Sequence, residues 1–228
     1  MTFRKDDSMK VLVVGANGQV GQHVVDQLHA APNVTVRAMV RKEDQQKALL
    51  QRGIDAVCID LEDDIANIKR AYQDIDAVIF TAGSGPNTGA DKTVTIDLDG
   101  AVKTIEAARQ AGVKRYVMVS SFDTTRKAIQ AAPEGFKPYV IAKHFADDWL
   151  RRSGLDYTIV HPGRLTNDEG TNQVQIEETV DAGDISRGDV ATVLVETVQN
   201  DHLIGREFQV IGGKTAIKDA VKTFKYSV

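Results

Sequence analysis

Glycines recur at every third position, Gly15, Gly18 and Gly21, directly after the apolar run Val11, Leu12, Val13 and Val14. They lead into a helical pattern with Val20, Val24, Val25 and Leu28 on one face. This order leaves little choice of local structure: strand, tight turn, helix. Gly15 can take the backbone angles of the turn, Gly18 has no side chain to keep a ligand from the backbone, and Gly21 lets helix and strand pack closely. The helix begins near Gln19, so its first free N–H groups and the positive end of its dipole converge on the glycine turn. An anion is expected there. With a strand before the turn and a helix after it, that anion is expected to be the diphosphate of a dinucleotide, bound by Gly15, Asn17, Gly18, Gln19 and Val20.

The next strand, Val34–Val40, ends in the basic pair Arg41 and Lys42. In dinucleotide folds the residue about twenty positions past the glycines meets the adenosine ribose. There an acid bonds a free 2′-hydroxyl and an arginine suits a 2′-phosphate. Arg41 lies at that spacing from Gly21, and no acid stands at the strand end. NADP is therefore expected as cofactor, with NAD less favoured. Residues 43–52 read as a polar helix capped by Gly53, and residues 54–59 as a third strand. The strand ends in Asp60, an acceptor for an adenine amino group, and Leu61, which can pack on the base. Residues 62–71 read as a short helix and residues 75–80 as a fourth strand. The small residues Thr81, Ala82 and Gly83 follow, and let a cofactor approach the backbone. The helix after them shows Val94, Leu98, Ala101, Val102, Ile105 and Ala108 at helical spacing and is expected to pack on the sheet. Strand and helix in regular alternation predict an α/β fold, a doubly wound Rossmann-like parallel sheet with helices on both faces and ligands at the carboxyl ends of its strands.

A fifth strand, Arg115–Val119, closes on Ser120 and Ser121, and Pro138 and Tyr139 open a helix that carries Lys143 four residues after the tyrosine. Four residues make about one turn, so Tyr139 and Lys143 share a helix face. An ammonium so placed lowers a phenol's pKa from its free value near 10. A tuned phenol beside a serine that bonds the same substrate oxygen is a proton donor for carbonyl reduction.

On these residues the sequence resembles the short-chain dehydrogenase/reductase superfamily, specifically its small atypical branch of NAD(P)-binding proteins similar to NmrA-like, flavin-reductase and biliverdin-reductase-B-like enzymes. The resemblance covers about residues 9–213. It rests on the three glycines, on Asp60 and Leu61, on Ser120 and Ser121, and on Tyr139 with Lys143. It rests also on the run Ser153-Gly-Leu-Asp-Tyr-Thr-Ile-Val-His-Pro-Gly-Arg-Leu-Thr166 and the later Ile185-Ser-Arg-Gly-Asp-Val-Ala191. It implies that Ser121 partners the substrate oxygen, with Ser120 the neighbouring alternative, and that Tyr139 is the acid. Lys143 is then both tuner of Tyr139 and partner of the nicotinamide ribose, and Pro162 lies beside the nicotinamide. Asp97 stands where the superfamily has a helix asparagine that supports a proton relay, and it completes the implied catalytic set. His161 occupies a position often held by arginine, and reads as structural or cofactor-contacting.

The rest of the chain bounds these expectations. Among 228 residues, 42% are hydrophobic and 26% charged, and the net charge of -4 comes with scattered basic residues, so nothing suggests a nucleic-acid partner. No apolar run reaches membrane-spanning or signal-peptide length, so a cytoplasmic protein without a membrane partner is expected. The single cysteine, Cys58, reads as a buried apolar residue, and no metal-ligand cluster is seen. Polar residues 1–8 read as a disordered extension, leaving residues 9–228 as a single NAD(P)-binding domain with a small C-terminal substrate lobe. That tail holds a short strand near Val174, a helix capped by Ser186 with Asp189 three later, and a last strand near Glu207. It offers little material for gripping a nucleotide sugar, which favours a small or flat substrate. The expected function is NADP-dependent reduction of a small carbonyl, quinone or flavin-like acceptor, with no oligomeric state implied. The alternatives are an NmrA-like NADP-binding sensor without turnover and an NAD(P)-dependent epimerase or dehydratase.

Overall fold

Strand β1 (Met9–Val14) divides the molecule, and its residues Val11 to Val14 are fully buried because both faces of the sheet are covered. Val11 and Val13 enter one core with Val20, Val24, Val25 and Leu28 of α1 (Gln19–Ala30), while Leu12 and Val14 enter a second core on the opposite face. This is the two-residue alternation of a strand sandwiched between helices. Burying each such side chain contributes about 1.5–3 kcal/mol.

In the computed structural model, which describes residues 8–85 and 88–225, the chain continues with β2 (Val34–Val40), α2 (Glu43–Gln51), β3 (Asp55–Cys58), α3 (Ile65–Lys69) and β4 (Ala77–Phe80). Next come a short α4 (Ala90–Lys92), α5 (Asp99–Ala111), β5 (Arg115–Val119), α6 (Arg126–Ala131), α7 (Lys137–Arg152) and β6 (Asp156–Pro162). The remainder comprises β7 (Arg164–Thr166), β8 (Gln173–Glu177), β9 (Asp184–Ser186), α8 (Arg187–Val198), β10 (Arg206–Gly212), β11 (Thr215–Ala216) and α9 (Ile217–Thr223). The extension expected over residues 1–8 lies, apart from Ser8, outside the described residues.

The main sheet runs β3-β2-β1-β4-β5-β6-β10-β8-β11. From β3 to β10 its strands are parallel, and β8 is antiparallel to both β10 and β11. Helices α1, α8 and α9 supply the first core, and α3, α5 and α7 the second. The fold is thus the expected doubly wound α/β sheet. Strand order reverses between β1 and β4, and in sheets of this kind the carboxyl end of the strands at that reversal is where ligands bind.

Three stretches differ from the sequence reading. Asp60, Asp63 and Asp64 bond the backbone or side chains around them, Asp64 capping α3 through Asn67 N at 2.7 Å. These local bonds compete with helix, so α3 starts later than residue 62. Residues Thr93–Leu98 form a π-helical segment, whose wider turn shifts the helix face. Val94, expected against the sheet, is therefore 52% exposed, and Asp97 is fully buried in its place. Finally, much of the tail extends the main sheet: α8, β10 and α9 carry core residues, while β7 and β9 pair separately beyond the carboxyl end of β6. Of the tail's strands, only β7 and β9 stand outside the main sheet. As expected, Ser186 caps α8, its hydroxyl accepting from Asp189 N at 3.0 Å. Among the described residues no helix is long and apolar enough to cross a membrane.

Candidate functional site

At this strand reversal, Gly18 N donates to Gly15 O at 2.9 Å and closes the turn. Gly15 has φ +83°, and a Cβ there would lie 2.6 Å from Ala82 N, so the loops after β1 and β4 touch through this glycine. Gly21 faces Gly15 O and Thr81 Oγ1, leaving no room for a side chain between helix and strand. Thr81 holds this contact by donating its hydroxyl to Val14 O at 3.0 Å. Gly18 differs from both. Its φ of −69° suits any residue, and a Cβ would meet only Gly15 O, at 3.1 Å. The space beyond it is open. Asn17, Gly18 and Gln19 are exposed, and Gln22 Nε2 braces the turn from Asn17 O at 2.8 Å.

The first turn of α1 has neither a side-chain cap nor an acidic residue. Its leading N–H groups, at Gln19, Val20 and Gly21, have no partner within the helix. An uncapped helix start behind a cradle that a Cβ would fill fits a dinucleotide diphosphate. A cleft of about 510 Å³ opens beside this turn, lined by Gln19, Gln22, Thr166, Asn167 and Arg187 among others, so the small lobe faces the glycine loop.

Arg41 and Lys42 are exposed at the end of β2, and among the described residues their side chains make no hydrogen bond or ion pair. Asp60 accepts Glu62 N on one carboxylate oxygen at 3.0 Å, which leaves the other for a ligand. Leu61 is half-buried and packs toward Gly100 of α5.

Asp97 is brought by the π-helical segment under the loop that follows β4. It accepts Ser84 N at 3.0 Å and lies 3.6 Å from Lys143 Nζ. Lys143, on α7, is also buried, donates to Val119 O at 3.4 Å, and places its ammonium 5.8 Å from the centre of the Tyr139 ring. Burial opposes the charge on Lys143, but Tyr139, Asp97 and Asp147 outweigh it and hold the pKa above the usual lysine value. Lys143 is thus a fixed cation shared between the phenol and a buried carboxylate.

The two serines that close β5 face different ways. Ser120 is buried and donates to Asp147 Oδ2 at 2.8 Å, an oxygen that also accepts Thr124 Oγ1 at 2.7 Å. Ser121 is half-buried, and among the described residues its hydroxyl makes no hydrogen bond. Its backbone carbonyl instead faces His161 Nδ1 at 2.6 Å. His161 precedes Pro162 at the end of β6, and its Nε2 lies 3.2 Å from Glu207 Oε2. Glu207 in turn receives Arg151 Nε at 2.7 Å and Nη2 at 2.8 Å.

The structure therefore brings Asp97, Lys143 and Tyr139 together at the end of the sheet where Ser121 and Pro162 emerge, with the glycine loop and Thr81, Ala82 and Gly83 at the neighbouring strand reversal. Sequence reasoning missed Asp147, Arg151 and Glu207. Asp147 carried a signal, since it continues the Tyr139 and Lys143 stripe by one more turn of α7. Among the described residues no group of His, Cys, Asp or Glu is placed to hold a metal ion.

A family described as NAD(P)H-binding matches residues 15–201. The chain is similar to a Bacillus subtilis (strain 168) protein named as an uncharacterized sugar epimerase, YhfK, with 45% identity over 94% of this chain and 99% of the relative. A solved structure from Bacillus halodurans, provisionally named an NAD-dependent epimerase/dehydratase, is also 45% identical. It superposes with a TM-score of 0.88 over 94% of this chain and 99% of its own. ChuY of Escherichia coli O157:H7, described as an anaerobillin reductase, is 25% identical, with a TM-score of 0.77 over 90% of this chain and 97% of its own.

Proposed function

The chain belongs to the NAD(P)H-binding family, whose Rossmann-like relatives include reductases and proteins named as epimerases, and we propose that it is an NADP-dependent oxidoreductase acting on a small carbonyl, quinone or flavin-like acceptor. One observation carries this reading. Ser120 spends its hydroxyl on Asp147, whereas Ser121 keeps its hydroxyl uncommitted at the strand end served by Tyr139 and Lys143. A protein that only sensed its cofactor would have no use for a free serine hydroxyl beside a phenol and a buried ammonium.

Bound at this site, a reduced nicotinamide supplies the hydride. Ser121 donates a hydrogen bond to the carbonyl oxygen of the acceptor and fixes its orientation. Tyr139 gives the phenolic proton to that oxygen as the carbon is reduced, so the product is the alcohol and the phenolate is reprotonated from solvent. Lys143 stabilises the phenolate through its charge, and Asp97 keeps Lys143 in place. The exposed Phe136, whose ring centre lies 5.1 Å from that of Tyr139, offers a flat apolar wall to an acceptor. The anaerobillin reductase among the structural neighbours supports a reductase reading.

The name of the Bacillus subtilis relative favours a second reading, in which hydride leaves a sugar and returns to it. Such an epimerase consumes no cofactor. Mixing the protein with NADPH and a panel of quinones, flavins, aldehydes and ketones separates the two readings, since steady loss of NADPH absorbance belongs to the reductase alone.

The choice of NADP rests on Arg41. A guanidinium bonding the 2′-phosphate contributes about 1.5–3 kcal/mol as a charge-assisted hydrogen bond. Arg41→Asp is expected to weaken NADPH roughly ten- to a hundredfold or more and to leave NADH almost unchanged. Titration calorimetry reads both constants, and equal affinity of the unaltered protein for the two cofactors would contradict the assignment.

A further inference from the structure

We propose that His161 is held as a charged imidazolium whose task is to clamp the backbone of Ser121, a positioning role that rests on the reading of Ser121 as the residue that holds the substrate oxygen. The side chain is only 9% exposed, and each ring nitrogen faces an oxygen that has no proton to give. Nδ1 meets the Ser121 carbonyl at 2.6 Å and Nε2 meets Glu207 Oε2 at 3.2 Å. A neutral imidazole has one donor and one acceptor nitrogen, so either tautomer would set a lone pair against a lone pair. Only the doubly protonated ring makes both bonds.

The surroundings agree. Glu207 cannot act as the donor: burial would raise its pKa, but the two bonds from Arg151 and the contact with His161 hold it down to about 2, so it is a carboxylate at neutral pH. For His161, burial alone would favour the neutral ring. Glu207 on β10, Asp147 on α7 and the Ser121 carbonyl outweigh it and raise the pKa above the ordinary 6.5. Arg151 is turned to Glu207 and fixes it, and Tyr157 and Arg206 also interact with this cluster.

The clamp answers a specific requirement of the site. A serine that must offer its hydroxyl to substrate cannot be immobilised through that hydroxyl, so the backbone has to be held instead. The next carbonyl, of Phe122, is held likewise by Gln209 Nε2 at 2.8 Å, while Gln209 Oε1 accepts Val180 N at 2.9 Å. Side chains from β6 and β10 thus pin successive carbonyls on the turn that presents Ser121. If His161 loses its proton, one bond must be lost and the Nε2 lone pair, or the Nδ1 lone pair, faces an oxygen. Activity is accordingly retained below the pKa of His161 and falls as pH rises through it.

Nitrogen NMR of the imidazole in the full chain between pH 5 and 10 reads the charge state without any acceptor. Both nitrogens are expected to be protonated at about pH 7.5, with loss of the proton above the free histidine value. In Glu207→Gln, which removes the carboxylate, the midpoint is expected to fall by about one unit or more. A neutral ring at pH 7.5 in the unaltered protein overturns the proposal. In turnover, His161→Leu is expected to lower kcat about ten- to a hundredfold through misplacement of Ser121, with the NADPH dissociation constant unchanged, and His161→Arg to restore most of it. Unaltered kcat in His161→Leu, when Ser121→Ala is slow, overturns the clamp alone. Full turnover of Ser121→Ala with a carbonyl acceptor overturns the reading of Ser121 on which the clamp rests.

Discussion

Gly18→Val is expected to abolish binding of NADPH and NADH alike while leaving the fold and its thermal stability nearly unchanged. The backbone at Gly18 is extended, with φ −69° and ψ 162°, a conformation valine adopts readily. A Cβ there approaches only Gly15 O, at 3.1 Å, so a few tenths of an ångström of adjustment admits it. Its methyl groups, however, add bulk directly before the uncapped N–H groups that open α1, where the diphosphate is expected. Keeping a diphosphate from two of these donors forfeits charge-assisted hydrogen bonds of about 1.5–3 kcal/mol each, roughly a hundred- to ten-thousandfold in affinity. The other two glycines would not serve. Alanine at Gly15 meets both a φ of +83° and Ala82 at 2.6 Å, and a side chain at Gly21 meets Gly15 O and Thr81, so those variants damage the fold before they report on a ligand. Circular dichroism with titration calorimetry on Gly18→Val decides the matter. Cofactor binding at the unaltered affinity would remove the glycine turn from the site.

Tyr139→Phe is expected to lower turnover of a carbonyl acceptor by about 10²–10⁴-fold, the usual contribution of a positioned general acid. The substitution removes one oxygen, keeps the ring beside Phe136, and breaks no hydrogen bond among the described residues, so NADPH should bind as before. Lys143→Met is less clean than the sequence suggests. Lys143 is buried 3.6 Å from Asp97, and its loss leaves a buried carboxylate without its cation, which costs roughly 3–5 kcal/mol of stability. Its slower turnover would mix unfolding with chemistry. Full activity of Tyr139→Phe on a carbonyl substrate would exclude the phenol from the mechanism. Full activity with only a flavin or quinone would instead indicate direct hydride transfer, with solvent supplying the proton.

The sequence discloses what neighbouring residues determine. The buried run from Val11 to Val14, the glycine turn and the face of α1 are short-range patterns, and so are the limits of β2 and the Ser186 cap of α8, all of which stand where the pattern puts them. The burial of Asp97 is hidden from the sequence because one π turn, with no marker in composition, rotates the face that carries Val94 and Leu98 at helical spacing. The cluster around His161 is hidden for another reason. Glu207 reaches the histidine only because β10 lies parallel to β6 with Gln209 opposite His161, a register set by the whole sheet. Likewise the difference between Ser120 and Ser121 depends on Asp147, which a different element brings to the end of β5.

Hydride transfer out of the cofactor to a separate acceptor can be followed with NADPH carrying deuterium at the transferable position of the nicotinamide. The protein is incubated with this cofactor and the panel of quinones, flavins, aldehydes and ketones, and the products are weighed by mass spectrometry. The NADP⁺ formed is expected to have lost its deuterium in step with reduction of one acceptor. An aldehyde or ketone keeps the label as a C–D bond in its alcohol, whereas a reduced flavin or quinone returns it to water, and for a carbonyl acceptor the rate should fall in Tyr139→Phe. Tight binding of NADPH with its deuterium retained against every acceptor class would contradict the proposed oxidoreductase.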